Sequence, residues 1–240
     1  MPPHIAIDIK RYPTRLAAST ALAAQTAASL QAAIVQHGHA SIVLTGGSSP
    51  SDLYAAWASN HSTDVDWQNV HFFWGDERNV QHDHIDSNMV LAKAMLNTLN
   101  IPSANIHGWR TELTPTAALQ DMRKVLISLD MLRTHSFTIS LFGMGEDGHV
   151  ASLFPPHAPW TDFDDQFPAI ARFISDSPKP PSERYTFTLP LINKSSEIYL
   201  LPFGQNKAGV IQQLIDQDRS ITATWLKGQQ VTQIWTDVPA

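Results

Sequence analysis

Asp147 and His149 stand two residues apart in the run Phe137-Thr-Ile-Ser-Leu-Phe-Gly-Met-Gly-Glu-Asp-Gly-His-Val-Ala-Ser-Leu-Phe-Pro-Pro156. An imidazole beside a carboxylate is the equipment of a general base. The histidine titrates near neutral pH, and the carboxylate sets which ring nitrogen carries the proton. The run opens as a strand, so the pair falls at a strand's carboxyl end, where open α/β sheets place their ligands. Gly143, Gly145 and Gly148 permit backbone angles and close approaches that a Cβ would block. Gly143-Met-Gly-Glu-Asp-Gly148 also matches the G-x-G-x-x-G pattern of dinucleotide sites. That fingerprint requires a long helix directly afterwards and an acidic residue closing the next strand. Pro155 and Pro156 stop a helix after about two turns. The segment therefore reads as a catalytic turn, against the plainer reading of a glycine turn carrying a surface histidine.

Further clusters of this kind fall at other strand ends. Thr45-Gly-Gly-Ser-Ser-Pro50 leads into a helix, so Gly46, Gly47, Ser48 and Ser49 would offer N–H groups and hydroxyls to a phosphate, or else form a plain turn. It lacks the Gly-Lys-Ser/Thr ending of a P-loop and is not a G-x-S-x-G nucleophile elbow. Asp76-Glu77-Arg78 follows a strand and reads as a charged rim of the same site, or else as a solvated loop. Arg184, and Lys207 in Gly204-Gln-Asn-Lys207, suit a phosphate, the first by its planar fork and the second as a point charge. Taken singly, each also fits an ordinary surface charge. His82-Asp-His84-Ile-Asp86 resembles part of a metal-binding set, but no matching downstream ligands follow, so no metal is expected there.

Strand-like and helix-like segments alternate along the chain and must position these residues. Helices are expected over residues 16–35 with Leu16, Leu22, Leu30, Ala33 and Ile34 on one face, from about Ser51, over 86–99 capped by Ser87, over 115–132 with Thr114 as cap, and over 206–215. Strands are expected over 41–45, 70–74, 137–142, 169–174, 185–189 and 198–203. This alternation implies an α/β fold with a mostly parallel sheet covered by helices on both faces. No repeat or linker divides residues 1–240, which read as a single domain. The proline-rich stretch 178–182 reads as a surface loop.

Composition excludes several classes of function. The 240 residues contain no cysteine, so disulfides, thiolate metal sites and thiol nucleophiles are absent. The net charge of −6 argues against a general nucleic-acid or anionic-membrane surface. No apolar run approaches spanning length, and no targeting segment is apparent, so the expected location is cytoplasmic. An anionic small molecule remains a suitable partner if a few placed cations meet its charge.

Gly46-Gly-Ser-Ser-Pro50, Gly75-Asp-Glu-Arg78, Ser87-Asn88, Gly143 to Pro155 and Gly204-Gln-Asn-Lys207 occur in this order. Together they resemble the 6-phosphogluconolactonases, and the resemblance spans nearly the whole chain. The related glucosamine-6-phosphate deaminases share Asp-Gly-His but continue Ala-Phe-Asn-Glu-Pro, where this chain has Ala151-Ser-Leu-Phe-Pro155, and carry Asp-Glu-Tyr in place of Asp76-Glu77-Arg78. Thr222-Ala-Thr224 departs from the Pro-Ala-Ser that often precedes the last strand in that family, a difference expected to touch only the edge of the fold. The resemblance implies a Rossmann-like fold and hydrolysis of 6-phosphoglucono-1,5-lactone without metal or cofactor. It casts His149 as base toward water and Asp147 as the carboxylate that orients it, or alternatively as the acceptor holding the turn. Arg78 would contact the substrate and stabilise the oxyanion, with Asp76 positioning it or a sugar hydroxyl, while Ser48, Ser49, Arg184 and Lys207 would bind phosphate. The sugar-phosphate lactone is the expected partner; protein partners are left unspecified. A deaminase- or isomerase-like enzyme and a non-catalytic sugar-phosphate sensor are the alternatives.

Overall fold

All five residues of Ala40–Leu44 (β2) and all four of Ile139–Phe142 (β6) are buried. Successive side chains on a strand point to opposite faces, so both faces of the sheet are covered at these strands. The computed structural model of the chain describes residues 8–132, 137–155 and 170–240. Within them, Asp8–Arg11 (β1), β2, Val70–Trp74 (β3), Ile106–His107 (β5), β6, Glu197–Leu200 (β9) and Val231–Thr236 (β10) form a seven-stranded sheet in the order β1-β10-β9-β6-β2-β3-β5. Every pairing in it is parallel. A second, antiparallel sheet joins Asp76–Arg78 (β4), Arg184–Phe187 (β8) and Ala171–Ile174 (β7) in the order β4-β8-β7.

The strand order explains where a ligand must sit. From β2 the chain adds β3 and β5 on one side, then returns to place β6 against the other side of β2. The direction of winding reverses between β2 and β6, and the loops leaving their carboxyl ends splay apart into a crevice. Those loops are the two glycine turns, Thr45–Ser49 and Gly143–His149. The Gly143 N–H donates to Thr45 Oγ1 across the crevice floor at 3.2 Å.

The helices are amphipathic as expected, with differences at their ends. Arg15–His37 (α1) buries Leu22, Leu30 and Ile34, and its small Ala18, Ala23 and Ala27 allow close approach, but Leu16 lies outside this face at 62% exposure. Trp57 on Ser51–Asn60 (α2) is buried against α1, its Nε1 donating to Thr26 Oγ1 at 2.9 Å. Burial of a large apolar side chain is worth about 1.5–3 kcal/mol. Asn88–Thr98 (α3) is capped by Ser87, as its sequence implies. Pro115–Ser128 (α4) stops before residue 132, and Thr114 makes no side-chain cap bond. Asn100, Asp130 and Gln217 adopt left-handed φ of 52°, 56° and 56° just past α3, α4 and Ala208–Ile215 (α6). The following N–H groups return to Leu96, Leu126 and Gln213 carbonyls, closing each helix with a reversal usually assigned to glycine.

Two further differences concern strands. Residues 76–78 form a strand instead of a solvated loop. β8 ends at Phe187, and Leu189–Ile192 (α5) turns helical beyond it. Pro156 and the expected strand start at residue 169 lie outside the described residues.

Candidate active site

The turn after β6 is shaped by two of its glycines. A Cβ at Gly145 would stand 2.1 Å from His149 Nδ1 and 2.3 Å from Asp147 Oδ1. Gly148 has φ +74°, and a Cβ there would lie 2.4 Å from Ile221 Cβ. Any larger residue would displace the imidazole, the carboxylate or the neighbouring segment. Gly143 is different: its nearest contact would be Thr45 Oγ1 at 3.9 Å, so close approach does not require glycine there.

Within this turn His149 Nδ1 and Asp147 Oδ1 are 2.5 Å apart. The same oxygen accepts the His149 backbone N–H at 3.3 Å, so Asp147 both orients the ring and holds the turn. A carboxylate can only accept at neutral pH, which makes Nδ1 the donor and leaves the Nε2 lone pair available. Among the described residues Nε2 makes no hydrogen bond. The Phe154 ring covers the imidazole with centroids 4.3 Å apart. Burial pushes the His149 pKa below its usual value, against the opposing pull of Asp147. Burial also acts to raise the Asp147 pKa, but the bonds and charge from His149, with Lys179, hold it below the usual carboxylate value. The resulting group at pH 7 is a neutral imidazole whose Nε2 is unbonded among the described residues.

The charged rim converges on this turn through buried bonds. Asp76 Oδ2 accepts the Ser152 hydroxyl at 2.6 Å and lies 3.7 Å from Arg184 Nη1. Asn88 Nδ2 donates to the Asp76 carbonyl at 2.9 Å, while Asn88 Oδ1 is packed against Gly46. Glu77, fully buried, receives the N–H groups of Arg78, Asn88 and Met89 and the Ser87 hydroxyl. It closes the positive N-terminus of α3, although burial pushes its pKa upward. Arg78 stands directly opposite Arg184 in the β4–β8 register, and its Nη1 donates to the Asp86 carbonyl at 2.7 Å.

The candidate phosphate ligands occupy unlike environments. Ser48 is exposed and Ser49 half-buried at the start of α2, and the N–H groups of Gly46, Gly47, Ser48 and Ser49 make no hydrogen bond among the described residues. Lys207 closes a 3-10 turn, Gln205–Lys207, which is tied to the glycine-histidine turn by Asn206 Nδ2 donating to Glu146 Oε1 at 2.5 Å. Arg184 is buried instead of fully presented. Its Nε and Nη2 donate to the carbonyls of Pro181, Lys179 and Pro180. Burial lowers its pKa, as does the Arg78 charge, while Asp76 opposes the shift. His82 Nε2 bonds the Trp109 carbonyl, His84 Nδ1 accepts the Asp86 N–H, and no group of three metal-ligating side chains occurs among the described residues.

Three contributors escape a reading of motifs alone. Lys179, in the surface loop 178–182, brings its ammonium 3.7 Å from Asp147 Oδ1. Ser152 follows His149 by three residues, and only the fold reveals its bond to Asp76. Thr222 is buried against the glycine-histidine turn, not at the edge of the fold, with its hydroxyl on the Leu153 carbonyl at 2.9 Å.

The family model described as glucosamine-6-phosphate isomerases/6-phosphogluconolactonase matches residues 13–235. The chain is 35% identical over 216 residues to 6-phosphogluconolactonase 3, chloroplastic, of Arabidopsis thaliana, covering 85% of this chain and 65% of that protein. It is 38% identical over 180 residues to a Synechocystis 6-phosphogluconolactonase, covering 73% and 71% of the two chains. A crystal structure of a 6-phosphogluconolactonase from Shewanella baltica superposes with a TM-score of 0.80 at 26% identity, covering 96% of this chain and 97% of that one. With the motif order, the sheet reversal and the glycine-histidine turn all agreeing, the chain belongs to the glucosamine-6-phosphate isomerase/6-phosphogluconolactonase family.

Proposed function

We propose that this protein is a 6-phosphogluconolactonase of the oxidative pentose phosphate pathway, opening 6-phosphoglucono-1,5-lactone to 6-phosphogluconate with water activated by His149. The observation that carries this reading is the His149–Asp147 pair, whose geometry leaves Nε2 free at the sheet reversal. Nε2 takes a proton as water attacks the lactone carbonyl carbon. The bond from that carbon to the ring oxygen then breaks, and the imidazolium returns the proton to the departing oxygen. A lactone carbonyl is electrophilic enough that no covalent nucleophile is needed.

Arg78 stabilises the oxyanion, and Asp76 holds the arginine rim in place. Gly46, Gly47, Ser48 and Ser49 receive the phosphate with Lys207, while Arg184 contributes its charge and Nη1. Binding energy from this remote group fixes the carbonyl against His149. No helix among the described residues is long and apolar enough to cross a membrane. A cytoplasmic location is part of the proposal, although the Arabidopsis relative named above is chloroplastic.

A coupled assay offering the lactone and glucosamine 6-phosphate separately tests the reading. Rapid turnover of the lactone alone is expected. Turnover of the amino sugar would indicate a deaminase, and binding without turnover a sensor.

A further inference from the structure

The catalytic turn is held at both ends by two adjacent residues of a remote segment. The Ala223 N–H donates to the Gly148 carbonyl at 3.0 Å, immediately before His149. The Thr222 hydroxyl donates to the Leu153 carbonyl at 2.9 Å, immediately before Phe154, whose ring covers the imidazole. Between these points the turn closes on itself, with the Leu153 N–H on the Val150 carbonyl at 2.9 Å. Ile221 fills the space beside Gly148 that any side chain would occupy. The segment has its own anchors: Thr224 Oγ1 donates to the Asp218 carbonyl at 2.7 Å, and Asn193 Nδ2 to the Trp225 carbonyl at 2.9 Å.

We infer that Thr222 is a positioning residue, whose hydroxyl fixes the Leu153–Phe154 end of the turn and thereby the depth at which the His149 ring is held. The inference rests on His149 being the base. The backbone bond from Ala223 could be made by any residue at 223, whereas the bond to Leu153 depends on a hydroxyl at 222. Removing it leaves a buried carbonyl without its donor and frees Phe154 to move off the ring. Small misplacements of a reacting group cost rate steeply. The segment touching the turn presents no titratable side chain at positions 221–223. The charges that act on His149 come from Asp147 on its own turn, Lys179 on the 178–182 loop and Asp76 on β4. A looser turn would admit water to the ring and weaken the burial that now lowers its pKa.

The test compares Thr222→Val, which keeps the shape and loses the hydroxyl, with Thr222→Ser, which keeps the hydroxyl. The readouts are turnover of the phosphorylated lactone and NMR titration of the His149 imidazole, assigned by its disappearance in His149→Ala. Thr222→Val is expected to lower kcat by roughly 3- to 30-fold with KM little changed, and to move the titration upward; Thr222→Ser retains wild-type values. Wild-type turnover in Thr222→Val, or lost turnover with the titration unmoved or lowered, overturns the inference. If Thr222→Val does not fold, Thr222→Ser and Thr222→Ala are compared by the same two readouts, with Thr222→Ala expected to behave as the hydroxyl-free variant. Full activity in His149→Ala overturns the assignment of the base instead, and the titration still reports whether Thr222 holds the ring.

Discussion

Ser152 and Asp76, distant in sequence, share a buried hydrogen bond of 2.6 Å that joins the glycine-histidine turn to the charged strand β4. Asp76 is thereby held from three sides, by Ser152, by the Asn88 amide and by the Arg184 guanidinium. The Asn88 side chain in turn packs against Gly46, so the bond links the turn after β6 to the segment that borders the Gly46–Gly47 turn. Ser152→Ala is expected to leave the Asp76 carboxylate short of its nearest donor, at a cost of about 1–3 kcal/mol. For a chain of this length that is a fall of roughly 2–10 °C in Tm. Calorimetry of the variant measures it, and an unchanged Tm would show that the bond adds nothing to stability.

His149→Ala should fold normally and lose about 10²–10⁴ in kcat, because a general base contributes on that scale. The measurement must be fast enough to subtract spontaneous lactone hydrolysis. A base works unprotonated, and burial lowers the His149 pKa from 6.5. The acid limb of kcat/KM is therefore expected below pH 6.5. Asp147→Asn removes the charge that favours the imidazolium, so its limb should move lower still while kcat falls. An acid limb unmoved in Asp147→Asn would separate the carboxylate from the titrating group.

Lys207→Ala should raise KM for the phosphorylated lactone and leave unphosphorylated gluconolactone nearly unaffected. A charge-assisted hydrogen bond worth about 1.5–3 kcal/mol corresponds to roughly 10- to 150-fold in KM. Arg184→Ala is a less clean probe, since that side chain also holds the carbonyls of residues 179–181. It is expected to lower Tm as well as raise KM. Equal losses on both substrates in Lys207→Ala would place the lysine outside the phosphate site.

The parts of the fold legible in sequence were those governed by short-range pattern. Val70–Trp74 and Ile139–Phe142 are mostly apolar runs that are buried apart from the half-buried His71, and Ser87 is a cap recognisable from its type and place. Helix ends were less legible because Asn100, Asp130 and Gln217 take the left-handed turn without a glycine to mark it. Residues 76–78 read as a charged rim, with a solvated loop as the alternative, and their charge hid the strand they form. Their strand depends on pairing with residues 184–186, and Glu77 is buried only because the N-terminus of α3 supplies its donors. The histidine-carboxylate pair was legible because its members are neighbours in sequence. Lys179 and Thr222 reach the same turn from remote segments, so no local pattern could bring them there.

The last prediction concerns the far end of the sheet. His71 on β3 and His107 on β5 meet with Nδ1 and Nε2 2.9 Å apart, and their rings are stacked. One nitrogen must donate and the other accept, so the contact holds only while at least one ring is neutral. Burial and the neighbouring imidazole lower the His107 pKa from 6.5 to about 4, and burial with His39 lowers that of His71. The unfolded chain binds these protons more readily than the folded one. Folding stability from the pair is therefore complete above about pH 6.5, falls as pH drops toward 4, and loses nothing further from His107 below that value. His107→Phe removes this titration and retains an aromatic ring against Phe73, which now stacks on His107 at 4.7 Å. Melting curves at pH 7 and pH 4.5 should show a smaller fall in Tm for the variant than for the wild type. Equal falls would mean that the acid sensitivity of the fold arises from other groups.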